Sequence, residues 1–372
     1  MLRKGRVALL MALLVSVGLV AAACGDSKKD SSSGSGDSTT TSEAKAAAGP
    51  SDSEIKALTA KIAGGGASFP DAFYQAVNAD FNGVAGSELV TYAKSGSSDG
   101  RKQLADGTLI FAGSDSLPKP EETFGGKPIL FFPTVAAPIT VSYNLDGVEK
   151  LQLSPDTLAK IFSTEITKWD DAAIKADNPD ATLPSTPIVV VHRSDGSGTT
   201  NNFTKYLKSA APSTWKLDSG DTVNWPAGTQ GAEKNSGVAQ LIGQTAGAIG
   251  YVDLADAAKA KLTFAAIKDQ SGEFVLPSAK GVTVALDSAE IADDLTYNPL
   301  NSAGKGAYPI TAPTWIITFA SYGDAATVST LQTYLKYLLT TGQEQASATG
   351  YVGIPSSLQT KALAQVEKIK AG

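Results

Sequence analysis

The sequence predicts an α/β protein folded as two lobes, and three observations lead there. The chain has 372 residues, more than one domain ordinarily holds. Strand-like apolar runs alternate with stretches of helical periodicity along most of it. No short-period repeat points to a solenoid or propeller, and the 42% hydrophobic content suffices for a sizeable core.

Taken in order, the leader comes first. Arg3, Lys4 and Arg6 precede the apolar run Val7 to Val20, and Ala21, Ala22 and Ala23 lead to Cys24. A basic start, an apolar run short for a bilayer span and small residues before a cleavage point describe a signal peptide over residues 1–23. With its cysteine the pattern resembles a bacterial lipoprotein signal, in which Cys24 is lipidated and becomes the new N-terminus. Ala21 stands where Leu is more usual. Cleavage there removes three basic residues and no acidic one, taking the net charge from −6 to −9. Residues 24–53 are mostly Ser, Gly, Thr, Asp and Lys, a composition that predicts a flexible stalk, with the fold starting near Glu54.

Ser68-Phe69-Pro70-Asp71 reads as a helix start capped by Ser68, followed by Phe73, Ala76, Val77 and Phe81 at helical spacing. Glu88 to Ala93 is strand-like, and a short helix is expected after Ser98-Asp99-Gly100. Thr108 to Gly113 and Ile139 to Asn144 are strands, and Ser154-Pro155-Asp156 opens a helix. The clearest unit is the β-branched run Ile188 to Val191, then His192-Arg193-Ser194-Asp195-Gly196-Ser197-Gly198-Thr199-Thr200, then a helix carrying Phe203, Tyr206 and Leu207. Strand, Ser/Gly turn and helix N-terminus together aim free backbone N–H groups at an anion. Gly247 to Val252 and Trp315 to Phe319 are further strands, and Ala326 to Leu339 a helix.

Composition excludes several functions. An acidic balance gives no basic surplus for nucleic acid. One cysteine and one histidine form neither an internal disulfide nor a Cys/His zinc site, and no calcium-type ligand loop is present. No P-loop pattern supports nucleotide binding, and no cofactor is implied. His192, Asp195 and Ser197 lie close in sequence, yet no Gly-x-Ser-x-Gly elbow accompanies them, and proximity in sequence is not triad geometry.

Four segments share one design, small polar residues at a helix start or strand end: Ala67-Ser68-Phe69, Gly96-Ser97-Ser98, Gly113-Ser114-Asp115 and Arg193 to Thr199. Singly, each is ordinarily a cap or turn. Together with Gly66 to Pro70, Tyr92, Phe132-Pro133-Thr134, Ile166-Thr167-Lys168-Trp169-Asp170-Asp171, Gly247 to Tyr251 and Ala307-Tyr308-Pro309-Ile310, they form an ordered series. In this series the chain closely resembles the phosphate-binding proteins of bacterial phosphate-specific ABC transporters, the PstS type, from about Ile62 to the C-terminus. The Arg-Ser-Asp-Gly-Ser-Gly-Thr element is its most specific piece.

The resemblance implies a periplasmic-binding-protein clamshell of type II. Its lobes, residues 54–137 plus 312–372 and residues 138–311, would be joined by two strands, with hinges near Thr134 to Val141 and Tyr308 to Thr314. It implies inorganic phosphate as ligand, permease subunits of an ABC importer as partners, and a lipid-anchored place on the extracytoplasmic face of the membrane. Carried over by position, the phosphate contacts are Ser68, Phe69 (through its N–H), Ser97, Asp115, Arg193, Ser197, Gly198 and Thr199, with Asp195 orienting the arginine. Ser68 stands where Thr is commoner, and Ile110 where Asp is frequent. Asp115 separates this reading from a sulfate or molybdate binder, because only a ligand that keeps a proton welcomes a carboxylate acceptor. An adhesin built on the same fold, using an exposed Trp169, is a further alternative.

Overall fold

The structure, a computed structural model, describes residues 48–372, so the leader, Cys24 and most of the stalk lie outside the described residues. Order begins slightly earlier than the composition suggests. Ser51 caps α1 (Asp52–Lys56) in a reciprocal capping box with Glu54, and Ile55 is buried. Residues 51–53 therefore belong to the fold and not to the stalk.

The first βα units are β1 (Ile62–Gly66), α2 (Asp71–Ala85), β2 (Val90–Lys94), α3 (Ser97–Ala105) and β3 (Phe111–Ser114). Then β4 (Ile129–Tyr143) runs for fifteen residues. The middle of the chain contributes β5 (Gln152–Leu153), α4 (Pro155–Phe162), α5 (Ala172–Asp177), β6 (Val189–Arg193), α6 (Gly198–Ala210) and β7 (Gln230–Ala232). Next come α7 (Lys234–Gln244), β8 (Ala248–Asp253), α8 (Leu254–Lys259), β9 (Thr263–Phe264), β10 (Ala266–Lys268), β11 (Phe274–Val275) and α9 (Ala279–Asp287). The chain returns through β12 (Thr311–Phe319), β13 (Ser321–Tyr322), α10 (Ala325–Leu339), α11 (Gln345–Ala348), β14 (Val352–Gly353), α12 (Ser356–Val366) and β15 (Lys370–Ala371).

The main sheet orders its strands β2-β1-β3-β12-β4-β8-β6-β7. Its two halves meet in one strand. Residues 129–138 of β4 pair with β12, whereas residues 139–143 pair with β8. Within each half the βα units run parallel, β1 with β2 and β3, and β6 with β7 and β8. The C-terminal ends of these strands carry the loops, where open α/β sheets place ligands.

Buried residues of both halves pack into the core. Phe73, Val77, Phe81 and Leu335 lie in the first, and Leu158, Phe162, Phe203 and Tyr206 in the second. Trp169 is fully buried, and its indole N–H donates to the Gly247 carbonyl at 3.0 Å. It therefore offers no exposed surface for adhesion. Among the described residues, no helix is long and apolar enough to cross a membrane.

Candidate functional site

The four loops singled out in the sequence come together where the halves of the sheet face each other. Ser68 follows β1, but it does not cap α2. The N-cap position is Pro70, without a side-chain bond, and Ser68 Oγ instead accepts from the backbone N–H of Asn235 on α7 (3.2 Å). Phe69 is fully buried; its carbonyl accepts from the Tyr351 hydroxyl (2.6 Å), and its N–H has no protein partner among the described residues.

The second loop turns sharply at Gly96, whose φ of 108° suits glycine. A side chain there would meet the Gly196 carbonyl at 2.7 Å and Asp195 Oδ2 at 2.8 Å, because the fourth loop passes directly over it. Ser97 opens α3 and accepts from the N–H groups of Asp115 (3.3 Å) and Gly198 (3.1 Å). The Gly198 amide, expected to face the ligand, is thus given to Ser97 in this conformation.

Arg193 ends β6 with its guanidinium buried. Nε donates to Asp195 Oδ1 (2.6 Å) and Nη2 to Asp195 Oδ2, so the carboxylate holds two nitrogens of the guanidinium. Burial pushes the Asp195 carboxyl up. The bonds and charge of Arg193 outweigh this and hold it below the ordinary value. Nη1 of Arg193 has no protein partner among the described residues. Ser197 caps α6, its Oγ accepting from the Thr200 N–H (3.1 Å), and Thr199 Oγ1 accepts from Asn235 Nδ2 (3.2 Å).

Asp115 is the carboxylate among these donors, and it is 2% exposed. Burial pushes its carboxyl up to about 7, against the opposing bond from Thr314 and the charge of Arg193. Thr314 donates to Oδ1 at 2.8 Å, while Ser97 approaches Oδ2 at only 3.5 Å. Thr314 owes its aim to a bulge in the β4–β12 ladder between Thr314 and Trp315, a device that redirects side chains beside sites.

The hydroxyls share one property. Ser68, Ser197 and Thr199 each accept a bond from the protein, which leaves each hydroxyl hydrogen to be donated. The site is therefore rich in donors and carries one weakly engaged acceptor, Asp115 Oδ2. Thr314, Asn235 and Asn202, whose Nδ2 donates to the Asp115 carbonyl (2.6 Å), were not legible beforehand. They sit in a strand, a helix start and a helix interior with no local motif.

A catalytic triad is not assembled. His192 Nδ1 lies 2.9 Å from the Arg193 carbonyl and Nε2 lies 3.1 Å from Thr229 Oγ1, while Asp195 serves Arg193. An open depression of about 910 Å³, bordered by Asp146, Glu149 and Asp180 and also by Lys150 and Lys261, shares no residue with these loops.

Known proteins resemble this chain in sequence and in fold. A PBP superfamily domain matches residues 32–341. The phosphate-binding protein PstS of Xylella fastidiosa is 38% identical over 315 residues, covering 83% of this chain and 85% of its own. PstS of Haemophilus influenzae is 34% identical over 303 residues, covering 80% and 90%. Among solved structures, a high affinity periplasmic phosphate-binding protein with bound phosphate superposes with a TM-score of 0.69 at 24% identity, covering 82% of this chain and 93% of its own. The phosphate-binding protein of Stenotrophomonas maltophilia gives 0.64 at 21%, covering 82% and 94%. The fold is the type II periplasmic-binding-protein clamshell, and sequence identity extending along most of both partners settles the kinship: the chain belongs to the PstS family of phosphate-binding proteins.

Proposed function

We propose that this protein captures inorganic phosphate outside the cell membrane and hands it to the permease subunits of an ABC importer. Cys24 carries the lipid that holds it at the extracytoplasmic face. Residues 54–137 with 312–372, and residues 138–311, act as the two lobes that close on the ligand. The observation that carries the reading is the imbalance at the site: three hydroxyl hydrogens and Arg193 Nη1 await acceptors, opposite a single acceptor at Asp115.

Tetrahedral phosphate matches that imbalance. Its unprotonated oxygens accept from Arg193, Ser68, Ser197, Thr199 and the Phe69 N–H. Its remaining proton is shared with Asp115 Oδ2. Charge-assisted bonds contribute about 1.5–3 kcal/mol each, so a handful covers the roughly 8 kcal/mol of a micromolar site after association costs. Above about pH 7, where Asp115 is ionised, sulfate brings no proton and would set a lone pair against the carboxylate.

Titration calorimetry of the soluble fragment with phosphate, sulfate and arsenate tests this. Phosphate binds, arsenate competes and sulfate is weak. In Asp115→Asn the preference for phosphate over sulfate falls roughly a hundredfold, about 3 kcal/mol for one lost charged bond. An unchanged preference removes Asp115 from the role, and a wild-type protein that ignores phosphate removes the function.

A further inference from the structure

A second charged constellation lies beside the site. Arg101, on α3, has a fully buried side chain. Its Nε and Nη2 donate to Glu122 (2.7 and 2.9 Å), and its Nη1 donates to the hydroxyls of Ser114 (2.8 Å) and Ser116 (2.9 Å), the residues flanking Asp115. Nη2 also donates to Asp221 Oδ2 at 2.8 Å. Asp221 belongs to the segment after α6, in the other half of the sheet. It further accepts from Ser98 Oγ (2.7 Å) and Asn201 Nδ2 (2.8 Å), and its carbonyl accepts from the Ser197 N–H (2.9 Å). One carboxylate thus ties the first turn of α3, beside Ser97, to the first turn of α6, beside Ser197.

We propose that Arg101 and Asp221 are positioning residues, an ion pair between the lobes that touches no ligand, fixes Ser97 and Ser197 at their closed spacing and slows the release of phosphate. This rests on the phosphate reading and on the lobe division above. Breaking a buried pair ordinarily leaves a stranded charge. Here Glu122, on the same half as Arg101, keeps the guanidinium paired when Asp221 departs, and Asn201 stays with Asp221. The contact is therefore able to open and close reversibly. Burial pushes the Asp221 carboxyl up, but the Arg101 charge and its bonds, with that of Ser98, hold it below the ordinary value, so it is ionised throughout the neutral range. A contact present only in the closed form raises the population competent to hold ligand, and that appears as slower dissociation.

Stopped-flow release of phosphate and melting with and without phosphate test this in Ser98→Ala and Asp221→Asn. Ser98→Ala removes one bond across the lobes from a partly buried hydroxyl. Release is expected about tenfold faster, the size of one charged hydrogen bond, with the ligand-free melting temperature retained and the phosphate-induced rise reduced. Asp221→Asn is expected to release faster still. Wild-type release rates in both variants overturn the proposal, as does a Ser98→Ala protein whose ligand-free melting falls as much as its loaded melting. Failure of the phosphate reading is distinguishable, because then wild type itself shows no release to measure.

Discussion

Replacing Asp115 by asparagine keeps the shape of the side chain and removes its titration. With the lobes closed and no ligand bound, burial lifts this carboxyl from 3.8 to about 7. A carboxyl raised in the folded state binds its proton more tightly there than in the unfolded chain. Below 3.8 both states are protonated and the group costs nothing. Between 3.8 and about 7 only the unfolded state ionises, so stability falls by about 1.4 kcal/mol per pH unit. Above 7 both are ionised and the cost stays constant, near 4 kcal/mol in all. Asparagine does not titrate, and its carbonyl can still accept from Thr314. Asp253 and Asp256, whose carboxyls burial also raises, remain in both proteins; the Asp115 charge adds to the rise at Asp253, so its removal acts in the same direction. Denaturant unfolding of both ligand-free proteins between pH 4 and pH 8 is the assay. Asp115→Asn should gain on wild type across that window by up to about 4 kcal/mol, the full amount if the ligand-free lobes stay closed, most of it before pH 7. A stability difference that stays flat with pH refutes the reasoning.

Two other outcomes follow from the same geometry. Arg193→Ala should weaken phosphate binding at least about a hundredfold while far-ultraviolet circular dichroism stays native, the loss expected for two charge-assisted bonds; calorimetry measures it. Gly96→Ala places a methyl 2.7 Å from the Gly196 carbonyl at a φ of 108°, so the second and fourth loops must separate. Phosphate affinity should drop more than tenfold, with about 1–3 kcal/mol of backbone strain visible in the melting of the loaded protein.

Much of the fold was legible because the strand–helix alternation is strong. The strand Val189–Arg193 lies within two residues of the expected run, and the helix Gly198–Ala210 carries Phe203, Tyr206 and Leu207 as expected. The long β4 was read only at its end, since Pro133 and Pro138 interrupt the apolar run. Pro138 lies where the strand passes from one partner to the next, and Pro133 faces the bulge, positions that tolerate a missing N–H. The site was legible as loops, because hydroxyls and glycines at strand ends carry their own signal. What connects the loops was not. Ser68 read as a cap, since nothing local announces Asn235, 167 residues away. Arg101 carries no signal in the sequence, because its partners Glu122 and Asp221 lie 21 and 120 residues along the chain. Long-range pairing of polar groups leaves no periodicity to detect.

The placement of β12 between β3 and β4 has a consequence for how the polypeptide matures. Trp315 pairs with Ser114 on one side and with Pro133 on the other, so two early strands wait for a segment made almost two hundred residues later. A chain interrupted before Thr311 leaves both strands with bare edges, unable to complete their ladder. Such delayed closure means that the first half of the sheet is completed only once nearly the whole chain has been made.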